Sequence, residues 1–273
     1  MKFLVIGNGG REHAIIDHLN KSINTKKIYV SGQGNPGINQ IAEPCGILQT
    51  SSSNLADFAL KNHVDYTIVG PEQPLADGIA DLFREKKLKI FGPGKDGAKI
   101  ESSKVFAKDF MKKYNIPTAD YEVFYHFNNA CSYIKNQKFP IVIKADGLAA
   151  GKGVIIAYSA QEAESILKQI MTDKIFGSSG DHVVIEEFLE GQEISILTVC
   201  DGSSYQILCP AQDHKQAYDG DKGPNTGGMG AYSPVPFAGI ELLESIKSKI
   251  LTPALKGFQK EIFSIQEFFT QDL

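Results

Sequence analysis

The sequence has no tryptophan and only 4 cysteines among 273 residues. Cys45, Cys131, Cys200 and Cys209 lie far apart, and none belongs to a C-x-x-C pair. This argues against a thiol metal site and a disulfide framework, and it predicts buried free thiols in a reducing compartment. Long apolar runs are also absent. The N-terminal run Phe3-Leu4-Val5-Ile6 is cut off by Gly7-Asn8-Gly9-Gly10. It is too short for a signal-peptide core or a membrane span, so a cytoplasmic location is expected. There is no strong excess of charge, because the formal net charge is only −4. A basic stripe for nucleic acid and a membrane-surface patch are therefore not expected. Internal repeats and low-complexity linkers are missing too. What remains, 42% hydrophobic and 22% charged residues, suits an ordinary globular chain long enough for two domains.

The order of patterns reads as α/β. Residues 3–6 form a buried-strand run, a glycine turn follows, and Ala14-Ile15-Ile16 with Leu19 has helical spacing. Residues 28–30 and 66–69 read as strands, closed by glycine-rich turns at 32–37 and 70–72. One helix is expected over about 76–87, leading into Lys89-Ile90-Phe91. Strands alternating with helices imply a parallel sheet with crossovers, and so a small doubly wound domain. Ser102 is the expected cap of a helix reaching about Tyr114, stopped by Asn115-Ile116-Pro117. Residues 140–144 and 154–157 read as a hairpin with a long glycine-rich tip. Ser159 and Glu162 make a capping box for a helix to about Met171, and 183–189 reads as a strand.

Three glycine segments compete for the chemistry. In Gly7-Asn8-Gly9-Gly10-Arg11-Glu12, the third small residue of a dinucleotide fingerprint is replaced by Glu12. A carboxylate there would repel a pyrophosphate. The loop can still aim backbone N–H groups, with Arg11, at a substrate phosphate or carboxylate. The bland alternative is a tight strand-to-helix turn. The second segment, Gly147-Leu148-Ala149-Ala150-Gly151-Lys152-Gly153, fails the Walker A spacing, and Gly153 replaces the Ser or Thr that would hold Mg²⁺. A strand–loop–strand flap with bare amides, Lys152 and nearby Lys144 suits a lid over nucleotide phosphates. The third, Gly223–Tyr232, carries so many glycines that a regular element is not expected there. With Gln212-Asp213-His214-Lys215 just upstream, backbone approach to a ligand is the reading. His214 beside this loop is read as functional, His13 lies beside the first loop, and His18, His63, His126 and His182 are read as structural or surface residues.

These blocks resemble the phosphoribosylamine–glycine ligase family. Val5–His13 is similar to the family's opening, and Gly70-Pro71-Glu72 with Pro74-Leu75 to its next marker. Ile143–Val154 is similar to its phosphate flap. Glu186-Glu187-Phe188-Leu189 with Gly191 and Glu193 resembles its adenine and ribose segment. Gln212–Lys215 and Gly223–Pro234 resemble its signature loop. The resemblance implies a pre-ATP-grasp, Rossmann-like domain over 1–100. An incomplete α+β ATP-grasp domain over 101–273 would follow, with a lid at about 120–190. It implies ATP with Mg²⁺ or Mn²⁺ as cofactors, glycine and 5-phosphoribosylamine as substrates, and a monomer with no nucleic-acid or membrane partner. Lys104, Lys144, Gly147, Gly151, Lys152 and Gly153 would take the phosphates. Glu186, Glu187, Phe188 and Leu189 would frame the adenine, and Glu193 the ribose. Lys144, Asp213, His214, Lys215, Asn225, Thr226, Gly227 and Gly228 are the expected catalytic set, with Met229 and Gly230 on the substrate side. Gly9, Gly10, Arg11 and Glu12 would face phosphoribosylamine. The family's Glu-x-Asn metal ligands are not found in the chain, so the metal set is unassigned.

After about Lys260 the resemblance stops. Codons chosen for Ser264–Leu273, read from the third base, give Tyr-Thr-Gly-Val-Leu-Tyr-Ala-Gly-Leu, a strand like the family's. The expectation is a shifted reading frame before Ser264, with weak or no ligase activity and poor solubility for the chain as it stands. Another ATP-grasp carboxylate–amine ligase, a nicotinamide or flavin oxidoreductase, and a non-enzymatic remnant are the competing readings.

Overall fold

The computed structural model describes residues 1–149, 152–220, 222–261 and 267–272. One compact unit takes Met1–Ala98, and a second begins at Lys99.

The first unit holds strands β1 (Lys2–Ile6), β2 (Lys27–Val30), β3 (Glu43–Pro44), β4 (Tyr66–Val69) and β5 (Ile90–Phe91). Its helices are α1 (Gly10–Asn20), α2 (Ser52–Lys61), α3 (Glu72–Ala76) and α4 (Ile79–Glu85). The sheet runs β3-β2-β1-β4-β5, every pair parallel. Alternation along β1 explains why it is covered on both faces. Phe3 and Val5 join Ile16, Ile28, Val30 and Ile38 on one side. Leu4 and Ile6 join Leu55, Ala56, Ile79 and Phe83 on the other. Each such fully buried side chain contributes about 1.5–3 kcal/mol. The single helix expected over 76–87 is shorter, α4 at Ile79–Glu85, and a separate turn of helix, α3, precedes it. Gly78 sits at φ +91°, a left-handed conformation that ends α3 and starts α4.

In the second unit, α5 (Lys99–Ser102) and α6 (Lys104–Lys113) precede β6 (Tyr121–Phe124) and α7 (Phe127–Ile134). Then come β7 (Ile141–Ala145), β8 (Val154–Ala157), α8 (Ala160–Leu167) and β9 (Val183–Glu187). These four strands form an antiparallel sheet, β6-β9-β7-β8. Ala130, Ile134, Ala163, Ile166 and Leu167 of α7 and α8 bury its inner face against Ile141, Ile143, Val183 and Ile185. The cap of α6 is Ser103 rather than Ser102, because Ser103 Oγ is the oxygen that accepts Phe106 N–H, at 3.1 Å. Ser159 does cap α8, but Glu162 reaches back to Tyr158 N at 2.9 Å, so the box closes one residue early. Past α8 the helix widens to a π-turn over Lys168–Thr172.

The remaining strands are β10 (Ser195–Cys200), β11 (Tyr205–Ile207), β12 (Gln212–Tyr218), β13 (Lys222–Tyr232) and β14 (Glu267–Asp272), with helices α9 (Ile240–Ile246) and α10 (Thr252–Lys260). The glycine-rich third segment is a strand, contrary to the sequence reading. β13 pairs antiparallel with β12 in a two-stranded ribbon, with register shifts on either side of Gln216. Gly223 and Gly228, at φ +88° and +113°, bend the ribbon where an ordinary side chain would be strained. The tail read as out of frame contributes β14, which lies beside β10 in the order β11-β10-β14. Its residues 264–266 and 273 lie outside the described residues. The thiols differ from expectation as well. All four are free, but only Cys200 is buried, and Cys209 is exposed.

Asp201 closes the turn between β10 and β11. Its Oδ1 accepts Ser204 N and Ser203 N at 2.7 and 2.8 Å. These bonds, that from Ser204 first, hold its carboxyl down at about 2 from an ordinary 3.8. The folded state therefore binds the proton more weakly than the unfolded chain. Any stability Asp201 supplies is complete above 3.8 and lost as pH falls through about 2. The stability difference between wild type and Asp201→Asn, followed by acid-dependent unfolding, should close over that window. A difference constant with pH would remove this role.

Candidate functional sites

The first unit gathers its glycine turns at the C-terminal edge of the parallel sheet. β1 and β4 are adjacent there, and the chain leaves them in opposite directions, the arrangement at which open α/β sheets form ligand crevices. Asn35 Nδ2 donates to Asn8 O at 2.8 Å, joining the turn after β2 to the turn after β1. Arg11 pairs with Glu72 at 2.8 Å, with both side chains well exposed. Arg11 and a helix N-terminus thus face the solvent side of this edge, where Gly9 and Gly10 lie. Partial burial pushes Glu72 up, but the Arg11 hydrogen bond and charge, with a backbone hydrogen bond, together hold it below the usual carboxylate range.

Glu12 is placed otherwise than the sequence reading had it. It is 4% exposed and turns inward. Its Oε2 accepts Gly9 N–H at 2.6 Å and caps α1, while its stem lies between the backbones of Gly7 and Gly70. A Cβ on Gly70 would come 2.0 Å from Glu12 Oε1. The carboxylate that spoils a dinucleotide fingerprint is therefore a packing and capping group. His13 also packs within the unit, against Gly37.

In the second unit the outer face of the four-stranded sheet carries charge. Val142 is opposite Glu186 and Lys144 opposite Val184, so Lys144 and Glu186 are diagonal neighbours on one face. Lys144 Nζ lies 2.8 Å from Glu186 Oε2. The same oxygen receives Lys108 at 3.2 Å. Lys108 and Glu186 are almost fully buried, and Glu186 Oε1 has no partner. Burial draws Lys108 below the usual lysine range, with Glu186 opposing.

Lys104 donates to Gly147 O at 2.9 Å, at the base of the flap. Burial lowers it too, opposed by Glu101 and Asp146. Asp146 Oδ1 accepts Ser103 Oγ and Val105 N–H, at 3.1 and 3.2 Å, which fixes the start of α6 to the end of β7. Gly147, at φ +119°, lets the chain turn there. Lys152 is exposed, and its N–H closes a turn on Ala149 O at 2.9 Å. Gly153 packs its backbone near Ala149 Cβ, and Gly151 lies outside the described residues. Thus Lys104, Lys144 and the flap base converge, together with Glu186.

The residues beyond β9 diverge in use. Glu187 turns from the charged face and accepts Asp120 N–H at 2.9 Å, a strand-end clamp rather than a ligand contact. Phe188 is half-buried, and Leu189 is 63% exposed, an apolar surface left open beside the strand end. Glu193 meets the ribbon, where Lys215 lies 3.9 Å from both Glu193 and Asp213. A bridge between Ser195 and Ala211 brings these segments together. On β12 and β13, His214 is opposite Gly230 and stacks on Tyr232, with ring centroids 5.9 Å apart. Thr226 Oγ1 donates to Lys215 O at 2.9 Å and accepts Gly228 N–H at 3.0 Å. Gly227 and Met229 are exposed, and Asn225 contributes its backbone opposite Gln216.

Sequence reasoning missed Lys108, Thr118 and the capping role of Asp146. The available signal was helical spacing: Lys104 and Lys108 are i and i+4 on α6, so both face the same side. Among the described residues there is no group of three or more His, Cys, Asp or Glu that could hold a metal ion. No helix among them is long and apolar enough to cross a membrane.

Comparison with known proteins fits this geometry. Family models described as the N domain and the ATP-grasp (A) domain of phosphoribosylglycinamide synthetase match residues 1–101 and 102–269. The second match runs past Lys260, where the sequence reading ended the resemblance. A phosphoribosylamine–glycine ligase of Clostridium acetobutylicum is 50% identical over 261 residues, 96% of this chain and 62% of that protein. The bifunctional purine biosynthetic protein PUR2,5 of Pichia angusta is 51% identical over 94% of this chain and 33% of its own length. The chain thus spans 62% and 33% of these two relatives, less than two thirds of either. The crystal structure of phosphoribosylamine–glycine ligase from Thermotoga maritima superposes with a TM-score of 0.81 at 32% identity, covering 100% of this chain and 65% of that one. A biotin carboxylase domain from Hydrogenobacter thermophilus, at 15% identity and TM-score 0.76, shares the fold alone. By these matches along nearly its whole length, the chain belongs to the phosphoribosylglycinamide synthetase family, with an α/β N domain followed by an ATP-grasp domain.

Proposed function

We propose that the chain serves the ATP-dependent joining of glycine to 5-phosphoribosylamine, giving glycinamide ribonucleotide, ADP and phosphate. The observation that carries this reading is the cluster of Lys104, Lys144 and the flap base around Gly147, in a chain of this family. The lysines would bind the nucleotide phosphates as charge builds on them. A glycine carboxylate oxygen would attack the γ-phosphorus as its bond to ADP breaks. The phosphoribosylamine nitrogen would then attack the carbonyl carbon of glycyl phosphate, losing a proton as phosphate leaves. Asp213, His214, Lys215 and the Asn225–Gly230 stretch of β13 would lie around glycine and the acyl phosphate. Backbone at Glu186 with Phe188 and Leu189 would frame the adenine, and Glu193 the ribose. Gly9, Gly10 and Arg11 would take the phosphoribosyl group. In this reading residues 1–100 are the N-terminal domain and 101–273 the nucleotide domain, with the lid at about 120–190. The free Cys209 thiol accords with a reducing cytoplasm, and the chain would act as a monomer, which sedimentation would check.

The test is ADP release from Mg²⁺-ATP by this chain and by a version extended to the relatives' length. Release that needs both glycine and phosphoribosylamine is expected from the extended version. Release independent of either substrate would sink the reading, and silence from this chain alone would mark it as an inactive fragment. ATP affinity should fall about 10- to 100-fold in Lys144→Ala, as for loss of one charge-assisted phosphate bond.

A further inference from the structure

We propose that Lys108 is a positioning residue. It keeps Glu186 paired when nucleotide arrives, so that Lys144 is free to turn to the phosphates. The inference rests on the ATP reading above. Both ammonium groups sit on one carboxylate oxygen, at 3.2 Å for Lys108 and 2.8 Å for Lys144. Their surroundings differ. The Lys108 side chain is 6% exposed and that of Lys144 is 26%. An ammonium has three donors, and those of Lys108 have three acceptors within the protein. They are Glu186 Oε2, Thr118 Oγ1 at 2.7 Å and Ala119 O at 3.2 Å. Lys108 is thereby tied down and closed to a ligand, whereas Lys144 has an open side.

Without Lys108, Lys144 and Glu186 would be a neutral pair. Moving Lys144 to a phosphate would then strand a buried carboxylate, a costly state. With Lys108 in place, two cations share one anion, and Lys144 can leave without stranding it.

The experiment compares the full chain with Lys108→Met, Glu186→Gln and the double variant. Mg²⁺-ATP affinity is read by calorimetry. Without nucleotide, the rate at which an amine-acylating reagent modifies Lys144 is read by peptide mass spectrometry. Lys108→Met should weaken ATP about tenfold and slow labelling of Lys144, which becomes the lone partner of Glu186. Adding Glu186→Gln should recover most of both, since no carboxylate then detains Lys144. A purely structural Lys108 gives a loss that Glu186→Gln does not recover, with unchanged labelling, and that result overturns the proposal. Should Lys108→Met not fold, Lys108→Gln, which keeps a donor to Glu186 without the charge, takes its place with the same expected and overturning results. Failure of the wild-type chain to bind ATP would instead overturn the nucleotide reading. The labelling rates would still decide whether Lys108 relieves Lys144.

Discussion

Glu186→Ala should destabilise the second unit by about 3–5 kcal/mol, the cost of removing one partner from a buried ion pair. The substitution leaves Lys108 buried and charged. Thr118 and Ala119 still accept from it, so the loss should fall toward the lower end of that range. Denaturant unfolding measures it. Glu186→Gln keeps an acceptor and should cost less. The pH dependence supplies an independent check. Burial holds Lys108 below its usual 10.5. Between the lowered value and 10.5 the unfolded chain binds more protons than the folded one, so stability rises with pH there. Without Glu186 the lysine is lowered further, so the rise should begin at lower pH. A loss under about 1 kcal/mol at neutral pH would show that the cluster is not a buried pair in the sense used here.

Gly70→Ala should cost the first unit about 2–4 kcal/mol, combining overpacking with loss of a helix cap. The new Cβ would meet Glu12 Oε1 at 2.0 Å and Glu12 Cδ at 2.5 Å. Glu12 cannot yield easily, because Gly7 confines it on the other side. It would have to swing out and release Gly9 N–H, exposing the start of α1. The cause is separable by a double-mutant cycle. In a Glu12→Ala background, where that clash is gone, Gly70→Ala should add little. An undiminished cost there would place the strain elsewhere.

Much of the architecture was legible in the residues. Ile141–Ala145 buries every second residue, whereas Lys2–Ile6 is an apolar run buried almost throughout, and both patterns mark strands. Glycine-closed strands alternating with helical spacing imply a parallel sheet. The β7–β8 hairpin was legible because two apolar runs flank a glycine-rich stretch close in sequence. Errors arose where a local rule met a competing one. The Gly223–Tyr232 segment was denied a regular element on conformational entropy, yet its backbone is paired along β12. The helix over 76–87 has its apolar period, but it begins only after Gly78, which caps it in a left-handed conformation.

The alternation of elements could be read from the residues because it depends on period and spacing, and the family from motifs that resemble known ones. What each carboxylate near the lysines does depends on tertiary contacts. Glu12 turns inward because Gly7 and Gly70 leave a space of its size beside a helix start. Glu186 takes two lysines because β9 and α6, distant in sequence, approach at one buried point. Glu187, the next residue, points away because successive strand residues face opposite sides. Such roles rest on which chain segments meet and how dry the meeting point is, and neither is written in the local sequence.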